Sequence, residues 1–280
     1  MSWLFVILNF ILILIIIYLM LCAGYFILHR FFILFPSRKL TLNPSDFQLQ
    51  YEDVFFETRD NVKIHGWFIE GDISEERKDT VFVLFPGNKG TISGFLEPMR
   101  YLAKSGFSVF LFSYRGFGRS QKKWPTENGV LRDSEAACEY LLREKKIDLK
   151  NIIFLGQSLG CAMAAYTAAI YDPGALVLEG GFPSLTELAA RAVKYLPLRL
   201  ITTSHFNTKD YLEKVRCPVL IIHSLEDKAV PLSDADTLTR TVNSKVKKVI
   251  ISGPHAKGLE YDGDNYLAAI KQFLKEVGNE

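Results

Sequence analysis

The sequence lacks an excess of either charge. Its 280 residues include 33 lysines and arginines against 31 aspartates and glutamates, a formal net charge of +2. Nucleic-acid-binding proteins usually concentrate a basic surplus on one face, so this balance gives no electrostatic case for a nucleic-acid partner. Internal repeats and low-complexity segments are also absent from the sequence. The composition excludes a disordered chain, a collagen and a transporter with many membrane spans.

Cysteine is scarce as well. The four cysteines are Cys22, Cys138, Cys161 and Cys217, and their spacing fits neither a disulfide framework nor a zinc site. Cys22 lies in an apolar N-terminal segment, which leaves an odd number for the rest of the chain. Thiols without partners are typical of a reducing compartment.

Charge is missing altogether from residues 3–28, and 30 of the first 35 residues are hydrophobic. The other 245 residues are roughly 44% hydrophobic, an ordinary value for a globular domain. At about 1.5 Å per residue, the apolar run is long enough to cross a bilayer core of roughly 30 Å. We predict a transmembrane anchor at 1–35, a linker at 36–50 and a globular domain at 51–280. A cleaved signal peptide is the alternative, but the basic n-region is missing and the apolar core is too long.

Three basic residues, Arg30, Arg38 and Lys39, follow the apolar run, and none precedes it. The positive-inside rule therefore predicts that the globular domain faces the cytoplasm. Because the apolar segment carries no motif, we expect the chain from about residue 45 onward to fold without it.

The hydrophobic pattern of the domain predicts an α/β fold. Residues 51–58 and 62–70 alternate apolar and polar side chains around Arg59-Asp60-Asn61, which indicates a β-hairpin. From residue 80 on, short apolar runs alternate with helical stretches, which favours a mostly parallel sheet with right-handed crossovers and an antiparallel hairpin at its edge. The predicted strands are 80–85, 107–113, 151–155, 175–179, 218–223 and 247–252, and the predicted helices are 92–104, 127–145, 159–171, 232–242 and 262–277.

One motif stands between a predicted strand and a predicted helix. It reads Gly156-Gln157-Ser158-Leu159-Gly160. This is the context of a nucleophile elbow, in which glycines permit a sharp turn that lifts the serine hydroxyl above the sheet edge. A serine that only caps the helix is the alternative. We predict Ser158 as a nucleophile.

A nucleophilic serine needs a base and an acid that orients the base. Asp227 and His255 each follow a predicted strand, and the order Ser158, Asp227, His255 is that of an α/β-hydrolase triad. The carboxyl ends of parallel strands meet at one edge of a sheet, so we expect the three side chains to lie together. Glu226 and Glu179 remain alternative acids.

The other histidines and Cys161 are assigned elsewhere. We expect His223 to brace the loop that carries the acid, and Cys161 to be a packing residue. The remaining histidines are expected outside the site: His29, His65 and His205.

Acyl transfer by such residues also needs two N–H donors for the developing oxyanion. Leu159, the residue after the nucleophile, and Asn88, in the turn after the first apolar strand, are the predicted backbone donors. This chemistry requires no metal and no organic cofactor.

Together these motifs resemble those of the α/β-hydrolase superfamily, and of its branch of small single-pass membrane-anchored serine hydrolases. The resemblance covers about residues 50–277 and rests on the oxyanion loop, the elbow and two further segments, Ser113–Ser120 and His223–Pro231. Two departures stand out. Phe85-Pro86 replaces a histidine that often braces the oxyanion loop, and Ser224 replaces a glycine.

The resemblance implies a serine hydrolase acting on a carboxylic ester or thioester. The segment at about 180–210 would form a small cap, and its apolar side chains near a membrane favour a small-molecule or lipid acyl ester as the substrate. The alternative is that these side chains only pack on the sheet. A peptidase or amidase with the same residues, and a non-catalytic membrane-tethered interaction module, remain open alternatives. The sequence leaves the oligomeric state open.

Overall fold

The computed structural model describes residues 3–71, 80–88 and 90–278, without the side chains of residues 30 and 32. The first two residues of the predicted anchor lie outside the described residues. So does Lys89 of the predicted oxyanion loop.

One sheet organises the domain. Its strands are β1 Glu52–Glu57, β2 Lys63–Ile69, β3 Val81–Phe85, β4 Ser108–Phe112, β5 Ile152–Gln157, β6 Ala175–Glu179, β7 Val219–Ser224 and β8 Val246–Ile251. They are ordered β1-β2-β4-β3-β5-β6-β7-β8. β1 pairs with β2 and β2 with β4 in antiparallel fashion, and the other neighbours are parallel. The predicted mostly parallel sheet with an antiparallel hairpin at its edge is confirmed.

Helices cover both faces of this sheet. The helices of the described residues are α1 Trp3–Ile33, which is largely exposed and does not cover the sheet, α2 Leu96–Lys104, α3 Glu127–Arg143, α4 Gly160–Tyr171, α5 Leu185–Ala192, α6 Leu198–Ile201, α7 Thr208–Leu212, α8 Leu232–Thr241, α9 Gly258–Tyr261 and α10 Gly263–Gly278. Successive side chains of β3 enter different cores: Val83 packs with residues of α3 and α4, and Leu84 with residues of α2 and α10. Burial on both faces explains why the central strands are continuous apolar runs.

The helix predicted at 92–104 begins differently. Residues Ile92–Phe95 form a 3₁₀ turn, and the α-helix starts only at Leu96. Pro98 explains the break, because its ring would clash with the carbonyl of Gly94 in a continuous α-helix, while the first turn of a helix tolerates it.

The segment predicted as a linker, 36–50, lies along the domain. The Arg38 guanidinium donates to the Ser120 carbonyl at 2.7 Å, and the Ser93 hydroxyl donates to the Leu42 carbonyl at 2.6 Å. Just before the segment, Leu34 is 2% exposed and belongs to a core cluster. These apolar and polar contacts hold the segment to the domain.

These contacts move the expected start of a folded fragment. A chain beginning at residue 31 keeps Leu34 and the bound segment, whereas a chain beginning at residue 45 loses both. Losing one buried leucine side chain costs about 2–5 kcal/mol, so we expect the shorter fragment to melt at least about 5 °C lower. Thermal denaturation of the two fragments in one buffer checks this. Equal melting temperatures would mean that residues 31–44 contribute nothing to the fold.

Helix α1 is a candidate membrane span. Trp3–His29 is long and apolar enough to cross a membrane by length and composition. Its last turns contact the segment between β6 and β7: His29 Nε2 lies 2.9 Å from Thr203 Oγ1, and the Tyr25 hydroxyl lies 3.4 Å from Thr202 Oγ1.

A buried ion-pair network fastens the loop after β4. The Arg115 guanidinium donates to Asp133 Oδ1 at 2.9 Å and to both carboxylate oxygens of Asp60 at 2.8 and 2.9 Å. The Asp133 side chain has no exposed surface. Burial raises the pKa of Asp133 to about 6, although the bonds from Arg115 oppose this. Arg115 thus ties the hairpin and α3 to a loop beside the site.

We therefore expect Arg115→Ala to destabilise the domain by about 3–5 kcal/mol at neutral pH, since it leaves a buried carboxylate without its partner. A carboxyl whose pKa is raised by folding favours the folded state below that pKa, so the loss should be smaller at pH 5 than at pH 8. Urea denaturation at both pH values measures this loss in the free energy of unfolding. The half-exposed Arg119, which pairs with Asp53, is the matched control, and Arg119→Ala should cost under about 1 kcal/mol. Equal effects of the two substitutions would contradict the network's role.

Candidate functional site

The elbow after β5 is a tight turn. Ser158 has a φ of +54°, in the left-handed region that side chains rarely adopt. Such a conformation costs on the order of 1–3 kcal/mol and must be held by its surroundings. The Ser158 N–H donates to the Glu179 carbonyl at 2.9 Å. A Cβ on Gly160 would lie 2.0 Å from the Phe85 carbonyl oxygen, so only glycine lets α4 start so close to β3.

Three predicted site residues meet above the sheet. His255 Nε2 lies 2.7 Å from Ser158 Oγ, and His255 Nδ1 lies 2.6 Å from Asp227 Oδ2. They follow β5, β7 and β8, whose carboxyl ends lie at one edge. The carboxylate can only accept, so Nδ1 carries the proton and Nε2 is free to accept from the serine hydroxyl.

Backbone N–H groups of its own loop hold the Asp227 carboxylate in position. Its Oδ1 accepts the N–H groups of Ala229 and Val230, both at 2.8 Å, and its side chain is 1% exposed. Burial alone would raise its pKa, but the hydrogen bonds from His255 and from these N–H groups outweigh burial, and the pKa is lowered. Asp227 is therefore ionised at neutral pH. The neighbouring Glu226 is exposed.

His223 lies under this loop. Its Nε2 donates to the Val230 carbonyl at 3.0 Å, and its side chain is fully buried. Its place matches the expectation that it braces the acid loop.

Glu179, the other alternative acid, has different partners. Its Oε1 accepts the Gly258 N–H at 2.8 Å, and its Oε2 accepts Gln157 Nε2 at 2.5 Å and the Tyr266 hydroxyl at 3.0 Å. Burial raises its pKa, and these donors oppose the shift. The carboxylate thus joins the elbow strand to the turn that follows His255. This role was not predicted from the sequence, although a glutamate that ends an otherwise apolar strand was an available signal.

The oxyanion loop is braced from two sides. A Cβ on Gly87 would lie 3.5 Å from Ser158 Cβ, which places the loop against the elbow. The Phe35 N–H donates to the Asn88 carbonyl at 3.2 Å, and the Tyr114 hydroxyl donates to the Pro86 carbonyl at 3.3 Å. These two contacts hold a loop that no histidine directly precedes in this sequence.

The predicted oxyanion donors are the backbone N–H groups of Asn88 and Leu159. Within the described ranges, neither the Asn88 N–H nor the Leu159 N–H donates to a protein acceptor. N–H groups without an intramolecular acceptor can donate to an oxyanion.

The remaining sequence candidates lie outside this cluster. The Cys161 thiol donates to the carbonyls of Gly156 and Glu179 at 3.2 and 3.3 Å, and burial raises its pKa. His65 lies in the hairpin, with its Nε2 2.6 Å from Asp53 Oδ1. His205 Nδ1 lies 3.0 Å from Thr186 Oγ1. None of these polar contacts reaches Ser158 or His255.

The segment at about 180–210 divides its apolar residues between two environments. Phe182, Leu198 and Phe206 are buried, whereas Tyr195 and Leu200 are 90% and 85% exposed. Gly180 begins the segment with a φ of +60°, and a Cβ there would lie 3.2 Å from the His255 ring. The glycine therefore leaves room for the imidazole.

Comparison with known proteins finds similar chains. A family profile described as alpha/beta hydrolase fold matches residues 80–203. The chain is 32% identical over 249 residues to an uncharacterized protein of Mycobacterium tuberculosis, covering 89% of this chain and 88% of that protein. It is 30% identical over 264 residues to the alpha/beta hydrolase domain-containing protein WAV2 of Arabidopsis thaliana, covering 87% of this chain and 85% of that protein.

A solved structure is similar as well. The esterase Pf2001 of Pyrococcus furiosus superposes with a TM-score of 0.73 at 22% sequence identity, over 86% of this chain and 96% of that one. At this level of identity the likeness concerns the fold.

Proposed function

Since the chain belongs to the α/β-hydrolase family, we propose that it is a serine hydrolase that cleaves carboxylic esters or thioesters of an acyl or lipid-like group. The observation that carries the proposal is the continuous chain of hydrogen bonds from Ser158 through His255 to Asp227, at 2.7 and 2.6 Å. A hydroxyl, an imidazole and a carboxylate in this order form an activated nucleophile.

In the proposed reaction, His255 Nε2 takes the Ser158 proton while Ser158 Oγ forms a bond to the substrate carbonyl carbon. The carbonyl oxygen becomes an oxyanion and accepts the Asn88 and Leu159 N–H groups. As the carbonyl re-forms, the bond to the leaving oxygen or sulfur breaks, and His255 gives that atom its proton. Water then attacks the acyl-enzyme with His255 as base again, which releases the acid and frees Ser158. Asp227 stabilises the imidazolium in both steps.

Labelling with a fluorophosphonate probe tests the serine chemistry, and absence of labelling on folded protein would favour a non-catalytic module. A chain-length series of p-nitrophenyl esters and acyl thioesters, with and without detergent, then tests the substrate class. The p-nitroanilides of the same acids complete the design. Anilides cleaved faster than esters would favour the amidase alternative.

We also propose that α1 is a single-pass anchor and that the domain faces the cytoplasm. The apolar length of α1 supports a span, and the basic residues that follow it support the orientation. The substrate would then be an acyl ester or thioester at the inner leaflet.

We expect a protease added outside intact cells to leave the domain uncut, and the same protease to digest it after the cells are opened. An epitope tag at the C-terminus reports the cleavage. Digestion of the domain on intact cells would reverse the orientation and remove the inner leaflet as the source of substrate.

A further inference from the structure

The end of α1 rests against the cap. The candidate span Trp3–His29 has 27 residues and is about 40 Å long, which exceeds the roughly 30 Å of a bilayer core. A span of this length leaves its last turn free to reach the level of the lipid headgroups. The contacts of Tyr25 and His29 with Thr202 and Thr203 bring that part of the cap to the same level.

The surface beside this contact is apolar and uncovered. We define the cap tip as residues 193–200, which comprise the connection from α5 to α6 and the first three residues of α6. Val193, Tyr195 and Leu200 are 40%, 90% and 85% exposed, although Leu198 in the same short helix is 1% exposed. α6 ends directly before Thr202, so the exposed side chains adjoin the contact with α1. Exposed apolar side chains that lie together are typical of a surface that binds a membrane or another protein.

The cap tip also carries free positive charge. Lys194 and Arg199 are exposed, and in the described part of the chain neither has an ion-pair or hydrogen-bond partner. Arg191, just outside the tip, differs, because both its terminal nitrogens bond Asp234 at 2.7 and 2.6 Å. Aromatic and aliphatic side chains interleaved with unpaired cations are typical of surfaces that lie in the headgroup layer.

We propose that the cap tip is a bilayer-contacting surface that seats on the anionic headgroup layer beside α1. The occupant is a lipid bilayer, because the tip adjoins the end of a helix proposed to span one and its unpaired charges are positive. The contact would hold the site close to the leaflet: the Phe35 N–H, two residues after α1, bonds Asn88 of the oxyanion loop at 3.2 Å. The inference rests on the proposed anchor and deepens the proposed function by naming the leaflet as the source of the acyl substrate.

Fluorescent labels can locate the cap tip relative to the lipid. The native cysteines are all buried, so Leu200→Cys or Tyr195→Cys offers one accessible thiol for an environment-sensitive dye. The full chain is reconstituted into phosphatidylcholine vesicles with about a third phosphatidylserine, a content that gives the surface a negative potential. Ile170→Cys is the matched control, because Ile170 is 48% exposed near the end of α4, at the edge of the sheet opposite the site.

The expected result is a blue-shifted emission at positions 195 and 200 that nitroxide lipids quench, and an unshifted, unquenched emission at position 170. Equal quenching at all three positions would overturn the proposal. So would a blue shift that resists nitroxide lipids and disappears on dilution of the protein in the vesicles, since a second copy of the chain would then cover the tip.

Two further arms connect the surface to activity and charge. Leu200→Ser should lower the rate on a lipid ester in the same vesicles several-fold, with an unchanged rate on a soluble p-nitrophenyl ester. Lys194→Gln with Arg199→Gln should weaken the quenching at position 195 only when phosphatidylserine is present. If the wild-type protein hydrolysed neither the lipid ester nor the soluble ester, the proposed function would be contradicted. The dye result would then test the bilayer contact by itself. Unchanged lipid-ester hydrolysis by Leu200→Ser would overturn the proposed supply of substrate from the leaflet.

Discussion

Ser158→Ala is expected to lower kcat for ester hydrolysis by about 10⁴-fold or more while the domain stays folded. Losses of this size follow removal of a nucleophile that acts in one unit with its base. The side chain contributes one hydrogen bond, to His255, so the cost in stability should be about 0.5–1.5 kcal/mol. Steady-state rates on the preferred p-nitrophenyl ester, with circular dichroism to confirm folding, provide the measurement.

Cys161→Ala is the matched control for this substitution. The thiol lies within the same turn but hydrogen bonds only to backbone carbonyls. Its removal should therefore leave kcat within a few-fold of the wild-type value. The variant should still be labelled by the fluorophosphonate. If Ser158→Ala kept more than about one-hundredth of the wild-type kcat, the nucleophile would have to be sought elsewhere.

Asp227→Asn is expected to reduce kcat by about 10³- to 10⁴-fold, because the amide imposes the wrong tautomer on the histidine. The N–H groups of Ala229 and Val230 need an acceptor, so the amide oxygen should stay on them and the amide NH₂ should face His255 Nδ1. That nitrogen must then accept, its proton moves to Nε2, and Nε2 can no longer take the proton of Ser158. A pH–rate profile with matched circular dichroism measures the loss.

The two other carboxylates of this region serve as controls for Asp227. Glu226→Gln changes an exposed side chain and should leave kcat within about twofold, in the range of other surface changes. Glu179→Gln should lower kcat by an amount between those of the other two variants. The amide oxygen can still accept the Gly258 N–H, while Gln157 and Tyr266 must reorient their donor groups. A larger loss in Glu226→Gln than in Asp227→Asn would assign the acid to Glu226.

The sheet and most of its helices were predictable because their signals are local. A strand buried on both faces must be apolar along its whole length, and this holds for Val81–Phe85 and for Ile152–Gln157 up to its polar last residue. The elbow was predictable for the same reason, since its glycines, serine and flanking elements are contiguous. The helix start at Leu96 was missed, although the cause, Pro98, is also local.

What the sequence determined by itself is the α/β alternation, the apolar helix at its start and the order of three candidate residues at the carboxyl ends of strands. Which of three nearby carboxylates would face His255 was decided only by tertiary structure, because loop geometry turns Asp227 inward, leaves Glu226 exposed and gives Glu179 other partners. The same applies to the braces of the oxyanion loop. The contacts of Phe35 with Asn88 and of Tyr114 with Pro86 join residues 53 and 28 positions apart. Pairings at such separations leave no periodic or local pattern in a sequence, since they depend on how the whole sheet brings its loops to one edge.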